Sequence, residues 1–547
     1  MYAISVYMHV DIVPNRNSRP CALIRESFRE KGKVRHRTLL NISDLPASRI
    51  LAVKRALQGD FDEIGLSGAE KARTEQGPQF GGLYVAYQIA KEIGLAEVLG
   101  NHRKGKLALF MVIGQLLCGV SRRALVEWAV SQAVYEVLGI GTQDEIDFNE
   151  NDLYDVLDDL ADRRFEIELK LFRKRRKACS RLFLYDVTSS YLEGECNELG
   201  AWGYNRDGKK GKRQIVVGLL TDESGDPVAV DVFPGNTSDP KTVMDQIDRL
   251  SNRFAVRDVI FVGDRGMVKR IPLESIEQAD YQYITAITKP QVESLIREGI
   301  LQLGLFNEVL GEIENQGIRY VFRRNPIRAA EIEQSRNQRL EKVRKLALKL
   351  SDGLRLSNRK RSDVALRNVT QAIKKHNIDD FAKAVLDDRV VFVEVDEQAL
   401  EQKRRLDGVY VLKTDVPSDD LDKELVHKAY KSLYQVEQDF RNMKTSLEVR
   451  PVFVRKASRT RGHVLVVMLA LILRRELEKR LRPKQIEVNH ALRHMTGWTI
   501  LREFLGPIRF SRLPVANQRQ QEILNTLGIR QPTSLGVPSK NIRTKKD

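Results

Sequence analysis

The sequence predicts an α/β protein built on a mixed sheet. An inserted α+β segment interrupts the sheet, and a strand-rich segment and a helical one precede it. Three observations lead there. Apolar runs of strand length follow one another at RLFLYDVTSSYL (181–192), KRQIVVGLLTD (212–222) and DPVAVDVFPG (226–235), with turn residues between them. Helix and strand patterns then alternate up to residue 290. From 291 to 424 the alternation breaks, and a long charged helix stands among short strands.

The chain has 547 residues, enough for three or four domains. Its apolar share of 42% supports a buried core. Lys and Arg number 91 against 74 Asp and Glu, a net charge of +17. An excess of that size suits a polyanionic partner, most simply nucleic acid, and equally a merely basic soluble protein. The four cysteines, Cys21, Cys118, Cys179 and Cys196, stand far apart. That argues against zinc ribbons and disulfide frameworks and suits a reducing cytosol. The N-terminus lacks a signal-peptide pattern. The longest apolar run, VLVVMLALIL (464–473), is about half the length that spans a bilayer, so it reads as a buried helix and no membrane partner is expected.

The elements follow in chain order. Residues 1–75 read as strand-rich, with a hairpin signal around Gly32 in CALIRESFREKGKVRHRTLL. Residues 76–178 read as helical. Leu83, Ala86, Ala90, Ile93 and Leu95 recur near helical spacing, and LALFMVIGQLLCGV forms a second, buried helix. The stretch 148–177 starts acidic and ends in five cations, Arg173 to Lys177, which suits the helix dipole at both ends. Within 179–290 the three strands lead to a helix from Asp239, its N-cap, with Pro240 at N1, and then to strands at RDVIFVGDRGM and YQYITAITK. Segment 291–424 is the insertion, with Leu340, Val343, Ala347 and Leu350 as the stripe of its long helix. Residues 425–482 carry a helix to 447 and the buried helix 463–481. Residues 483–547 form a basic tail, expected to be loosely ordered beyond about 510.

Two aspartates are misplaced for buried strands: Asp186 in LFLYDVTSSYLEGE and Asp264 in DVIFVGDRGMV. A buried carboxylate is costly unless its charge is compensated. Each alone fits a turn cap or a local salt bridge. Two on neighbouring strands suit a divalent cation between them, and a third carboxylate would complete a site for phosphodiester chemistry. The helix 425–447, flanked by Glu424 and Glu448, also holds Glu437 and Asp439. Tyr430, Glu437 and Lys444 are seven apart and share a face, with Lys431 and Arg441 nearby. That face reads either as a metal ligand beside a phosphate backbone or as a solvated face with a Glu437–Arg441 ion pair.

These motifs carry a resemblance. Tyr430, Leu433, Glu437 and Lys444 resemble the Y-x2-R-x3-E-x6-K signature of IS4-type DDE transposases, and YDVTSSYLEGE and FVGDRGMV resemble the two aspartate strands of that group. GYNRDGKKGKRQIVVGLL and FPGNTSDPKT are most similar to its IS1634 branch. The resemblance covers roughly 180–290 and 425–475, and the N-terminal 170 residues more loosely. It implies a ribonuclease-H-like core with helices on both faces of its sheet, resumed after the insertion. It implies Asp186, Asp264 and Glu437 as catalytic ligands of two Mg2+ (or Mn2+) ions. It implies cleavage at the terminal inverted repeats of a transposon and strand transfer into double-stranded target DNA, by a homodimer on paired ends in a prokaryotic cytoplasm. The helical region 76–178 would bind the ends, and Tyr430, Lys431, Arg441, Lys444 and Arg461 would contact DNA. Leu433 replaces the family Arg and cannot bind phosphate, so Lys431 or Arg441 takes that role or the contact is absent. Some relatives stack a flipped base on a Trp of the insertion. The three Trp here, Trp128, Trp202 and Trp498, lie outside 291–424, where Tyr320, Phe322, Phe381, Phe392 and Tyr410 are the aromatic alternatives. A DNA-binding protein without catalysis and a stand-alone structure-specific nuclease are the rival readings.

Two patterns do not carry chemistry. GYNRDGKK (203–210) has the spacing of a phosphate-binding loop but Lys210 where Ser or Thr must hold Mg2+, and a strand follows it. It reads as a basic connecting turn with Lys209, Lys210, Lys212 and Arg213. RKASRTRGH (455–463) reads as a basic loop before the buried helix, with Arg459, Arg461 and His463 able to steady phosphates. No zinc site is proposed among the eight histidines.

Overall fold

The computed structural model describes residues 7–14, 20–30, 33–59, 72–143, 145–175, 181–204, 206, 208–209, 211–238, 242, 259–264, 281–357, 361–505, 508–532 and 535. The chain divides into two compact units, Met1–Gln88 with Val126–Asp147 and Arg480–Asp547, and Ile89–Leu125 with Phe148–Lys479. Among the described residues no single helix is long and apolar enough to cross a membrane.

The first unit opens with an antiparallel sheet of β1 (Tyr7–Val13), β2 (Cys21–Glu30) and β3 (Lys33–Asn41), in that order. The hairpin expected around Gly32 is the β2–β3 pair. Helix Ala47–Leu57 covers one face, where Ile50, Val53 and Leu57 pack on Val10, Ala22 and Ile42. Strand β4 (Ala72–Gln79) pairs with Thr499–Leu505, which pairs in turn with Ile508–Arg512. The chain beyond 510 is therefore not a loose tail as far as it is described. Helix Gln518–Leu527 is closed at its start by a capping box between Asn517 and Gln520 and buries Ile523, Leu524 and Leu527. Those apolar positions share a helical face, a signal overlooked among the surrounding polar residues. Trp498, 2% exposed, anchors this region by donating from Nε1 to the Pro514 carbonyl (2.9 Å) and meeting Phe80 edge-on.

The second unit is built on an eight-stranded mixed sheet. Its strands are β5 (Leu182–Tyr191), β6 (Gln214–Asp222), β7 (Pro227–Pro234), β8 (Ile260–Gly263), β9 (Gln282–Ala286), β10 (Gly311–Asn315), β11 (Ile318–Arg324) and, after a separate hairpin, β14 (Val409–Thr414). The order across the sheet is β10-β11-β14-β9-β8-β5-β6-β7, with only β5–β8 and β8–β9 parallel. The expected strands at 181–192, 212–222, 226–235 and 281–289 are present, and β8 lies in the described part of the one expected at 257–267. The helix expected after Asp239 and Pro240 lies outside the described residues. Near-continuous burial along β6 and β7 explains their Val- and Leu-rich runs.

One face of this sheet carries Phe183, Tyr185, Val187, Phe261 and Tyr283, packed with Phe165, Leu169 and Phe172 of helix Glu150–Arg175. Arg164 of that helix pairs with Asp231 on β7 at 2.5 Å, and Glu168 accepts from the Val230 N–H at 3.0 Å. Helix Ala457–Leu481 is buried all round from Val464 to Leu473. It starts six residues earlier than expected, so Ser458, Arg459 and Arg461 belong to its first turns rather than to a loop. Its Gly462 permits a close approach to Glu150–Arg175: a Cβ there would lie 2.1 Å from the Leu157 carbonyl oxygen.

Within 291–424, strands β10, β11 and β14 extend the main sheet beyond β9. The rest forms its own core. Helices Pro326–Leu356 and Ser362–Lys375 pack on a hairpin of β12 (Ala382–Asp387) and β13 (Val390–Val395). The long helix is capped by Asn325, which accepts from the Arg328 N–H, and Pro326 occupies its first turn. Leu340, Val343 and Ala347 are buried as the stripe required, and Leu350 is half-buried against the same core.

Candidate active site

Asp186 sits in the middle of β5 with Leu219 of β6 opposite it. On its other side β5 runs parallel to β8, with Tyr185 level with Gly263. The next residues in each strand are Asp186 and Asp264. Side chains alternate along a strand, and strands lie about 4.8 Å apart, so the two carboxylates emerge level on one face. That face is opposite the one filled by Tyr185 and Val187. Helix Leu433–Thr445 packs against β5, and the charge of its Glu437 bears on Asp186. The misfit of Asp186 in an apolar strand is thus a matter of which face it occupies.

The electrostatics of Asp186 register all three groups. Burial pushes its carboxyl up to about 7, Asp264 and Glu437 push the same way, and the Val187 N–H (2.8 Å to Oδ1) and Arg206 oppose them. Asp264 is exposed at the end of β8 and accepts from the Tyr430 hydroxyl at 3.4 Å. Glu437 is exposed and, among the described residues, has no ion pair or hydrogen bond. The alternative reading of that helix face, a Glu437–Arg441 ion pair, is therefore not what forms. Among the described residues no three His, Cys, Asp or Glu side chains stand close enough together to hold one ion.

The helix expected as one piece over 425–447 is two, Lys423–Lys431 and Leu433–Thr445. Ser432 lies at the junction. Its hydroxyl donates back to the Lys428 carbonyl (3.0 Å), and the Gln435 N–H bonds the Ser432 carbonyl three residues back. Back-bonding by Ser bends helices, which accounts for the break between Tyr430 and Glu437. The second piece buries Val436, Phe440 and Met443. Asp439, 1% exposed, is gripped by Arg475 at 2.8 and 3.0 Å. Arg475 also reaches Asp226 at 3.2 Å and the Ser224 carbonyl at 2.9 Å, while Lys479 and Arg175 bind Asp226 at 2.5 and 3.2 Å. This network ties the Glu437 helix to helix Ala457–Leu481 and to the β6–β7 turn. Its sequence signal is an Arg just behind the apolar run 464–473.

A cavity of about 480 Å3 opens beside Asp264 and is lined by Tyr430, Lys431, Lys289, Arg328, Tyr410 and His427, among others. Burial, then Lys431 and Arg323, lower the His427 pKa, so its imidazole is neutral at pH 7. Tyr410 stacks on it, with centroids 5.6 Å apart. Of the five aromatic alternatives in the insertion, Tyr410 is the one lining this cavity. Tyr320, Phe322 and Phe381 are core, and Phe392 is exposed on β13.

The remaining expected contacts are more scattered. Arg441 is exposed and Lys444 half-buried further along the Glu437 helix. Arg461 is half-buried in helix Ala457–Leu481, and neither hydrogen bond nor ion pair joins it to the carboxylates. Arg459 instead pairs with Asp158 at 3.0 Å and lies over the Tyr154 ring. In the basic turn before β6, Lys212 pairs with Glu193 at 2.7 Å, Arg213 donates to the Glu195 carbonyl, and Lys209 lies over Tyr191. Sequence reasoning missed Arg206 of the same turn. Its N–H donates to Ser189 on β5 (2.8 Å), which brings its charge to bear on Asp186. It also passed over His490 and His494, four apart on Val488–Thr496 with Nε2 atoms 3.2 Å apart, a pair with two ligands where a closed zinc site needs four.

Two family models match the chain. The family model described as "Transposase DDE domain" matches residues 177–473, and "IS1634 family transposase, N-terminal domain" matches 10–65. No curated protein matches the chain. A solved structure, "Mos1 transposase paired-end complex with left transposon end", is similar at 14% identity with a TM-score of 0.15. That match covers 34% of this chain and 58% of the other, a likeness too slight to define the fold. With a DDE model spanning the strands and helices that carry Asp186, Asp264 and Glu437, this chain belongs to the DDE transposases, in the IS1634 branch.

Proposed function

We propose that this chain cleaves DNA at the ends of an insertion sequence and transfers the freed strands into target DNA, with Asp186, Asp264 and Glu437 as the catalytic carboxylates. The observation that carries this is the emergence of Asp186 and Asp264 level from adjacent parallel strands, with the charge of Glu437 bearing on Asp186 from the neighbouring helix. The donor set fits Mg2+ or Mn2+ in chemistry: all three are hard carboxylate oxygens, and a cation would offset the burial, and after it the repulsion from Asp264 and Glu437, that raises Asp186. Two such ions, when bound, supply a Lewis acid at each end of the scissile phosphodiester. The chain's own residues do the rest. Tyr430 orients Asp264, and Arg206 tempers the charge on Asp186. Lys289, Arg328 and Lys431 offer cations to the phosphates of a strand lying along the Asp264 cavity. Lys431 and Arg441 stand in for the family Arg replaced by Leu433, and Lys444 holds phosphate further along the helix, with Arg461 beyond it.

The reading extends to the architecture. A meander of β5, β6 and β7, with β8 and β9 parallel to β5, supports a ribonuclease-H-like core over 179–290 and 425–482, with 291–424 as its insertion. Residues 76–178 would recognise the ends, two chains would pair them, and excision and reinsertion would follow in a prokaryotic cytoplasm. The test is cleavage of end-bearing duplex with Mg2+. Asp186→Asn, Asp264→Asn and Glu437→Gln each abolish cleavage and leave end binding intact. Near wild-type cutting by any of the three would remove that residue from the site.

A further inference from the structure

A second cavity lies just past the helix that bears Glu437. A cavity of about 310 Å3 is lined by Gly119, Ser121, Arg122, Tyr154, Arg450 and Phe453, with Gln115, Glu448 and His463 among the remaining lining. Its volume is in the range of small-molecule sites, about 300–1,000 Å3. Arg122 is 5% exposed. Its Nη2 donates to the Gln115 Oε1 at 2.7 Å, and its Nη1 is buried with no hydrogen-bond partner. Among the described residues no carboxylate forms an ion pair with it, although Glu448 lines the same cavity. The charge is felt by its neighbours. Burial and then Arg122 take the His463 imidazole down to about 3, so it stays neutral there.

A buried guanidinium without a counter-charge costs several kcal/mol, so native interiors rarely keep one unless something anionic completes it. Here the space beside it is open, and a second cation, Arg450, lines it. Ser121 caps the following helix by accepting from the Ala124 N–H (3.3 Å). Gly119, at φ +60°, supplies the left-handed turn of this loop beside Glu448.

The cavity is wired to the catalytic strand. Gln115, which orients Arg122, also donates to the Leu447 carbonyl at 2.6 Å. Val452, in the lining segment, takes part in a parallel bridge to the end of β5, through Val452 N–H to the Tyr191 carbonyl (3.3 Å) and Glu193 N–H to the Val452 carbonyl (3.1 Å). We propose that this cavity binds a phosphate group through Arg122 and Arg450. In function that phosphate belongs to the backbone of the DNA strand whose scissile bond lies at Asp186, and Phe453, 65% exposed, lies against the adjoining nucleotide. The assignment to DNA rests on the function proposed above; the phosphate chemistry does not.

The full-length protein tests it in two arms. Inorganic phosphate should raise the wild-type melting temperature saturably, beyond chloride at equal ionic strength, and Arg122→Gln should lose that rise. The plot of log affinity for end-bearing duplex against log salt should flatten by about 0.9 in Arg122→Gln, one phosphate contact. A phosphate-specific rise with a flattened slope supports the site and gives its phosphate to the DNA. The same rise with an unchanged slope supports a site for free phosphate. If phosphate stabilises the wild type no more than chloride does, the proposal is overturned. The wild-type arm needs neither a folded variant nor DNA binding, so it decides the matter even if the chain proves not to cut DNA.

Discussion

Among the described residues Arg475 is the single cation bound to the buried Asp439 of the helix that bears Glu437. Removing it should be among the costlier substitutions in the second unit. In Arg475→Ala, Asp226 keeps Lys479 and Arg175, at 2.5 and 3.2 Å. Asp439 keeps nothing comparable, because it is 1% exposed and both its oxygens are bound by Arg475. The cost is therefore that of stranding one buried charge, about 3–5 kcal/mol, a large share of the roughly 5–15 kcal/mol that holds a domain together. Replacing both partners with apolar groups, Asp439→Leu with Arg475→Met, leaves no charge stranded, so the pair should recover about 2 kcal/mol or more over Arg475→Ala. Urea unfolding of the full chain, followed by fluorescence and circular dichroism, measures both. Cleavage of end DNA, scored beside end binding, reports whether the loosened helix still presents Glu437: cleavage should fall more than binding. A loss below about 1 kcal/mol for Arg475→Ala would show that the pair behaves like an exposed salt bridge. A double variant no better than the single would place the loss in packing rather than in charge.

Tyr430→Phe removes the hydroxyl that reaches Asp264; at 3.4 Å its effect on stability should stay below about 1 kcal/mol, with the cleavage rate reduced more than end binding. Lys444→Ala should flatten the salt dependence of end binding by about 0.9 in slope, and an unchanged slope would move Lys444 off the phosphates. Gly462→Ala should destabilise strongly, since its Cβ would meet backbone 2.1 Å away, and a wild-type melting temperature would refute that packing. His463 gives a pH dependence. The folded chain keeps it unprotonated down to about 3, whereas the unfolded chain protonates near 6.5. The unfolded state thus binds the extra proton between those values, and stability falls as pH drops below about 6.5. His463→Gln should flatten that limb in pH-dependent unfolding.

What the sequence made legible followed from local rules. Strands β5 to β9 were visible as apolar runs bounded by turns, and the helix 150–175 as an acidic start with a basic end. Asp186 and Asp264 stood out because each breaks such a run, and Glu437 because it is spaced from Tyr430 and Lys444 at two turns each. The break at Ser432 was not visible, because a Ser in a helix either continues it or bends it, according to where its hydroxyl turns. The C-terminal strands and helix were hidden by polarity: pairing of Thr499–Leu505 with β4 joins residues more than four hundred apart. Arg206 and Arg122 were lost among 91 cations, since only the fold shows which cations are buried or brought to a carboxylate.

The continuation of the main sheet into the insertion changes what that segment is. Strand β9 is an interior strand only because β14 lies along it, with Leu412, Lys413 and Thr414 paired to Ala286, Thr285 and Ile284. Excising 291–424 would therefore do more than remove an accessory lobe. It would bare a hydrogen-bonding edge one strand from Asp264, the kind of edge that recruits other chains into aggregates. For the same reason length can vary freely in the long helix or the β12–β13 hairpin but not across the β9–β14 seam, where one residue gained or lost turns every side chain of the added strand to the other face. Segment 291–424 is thus built as masonry continuous with the wall that carries Asp186, and a natural trimming of it would have to supply a new edge.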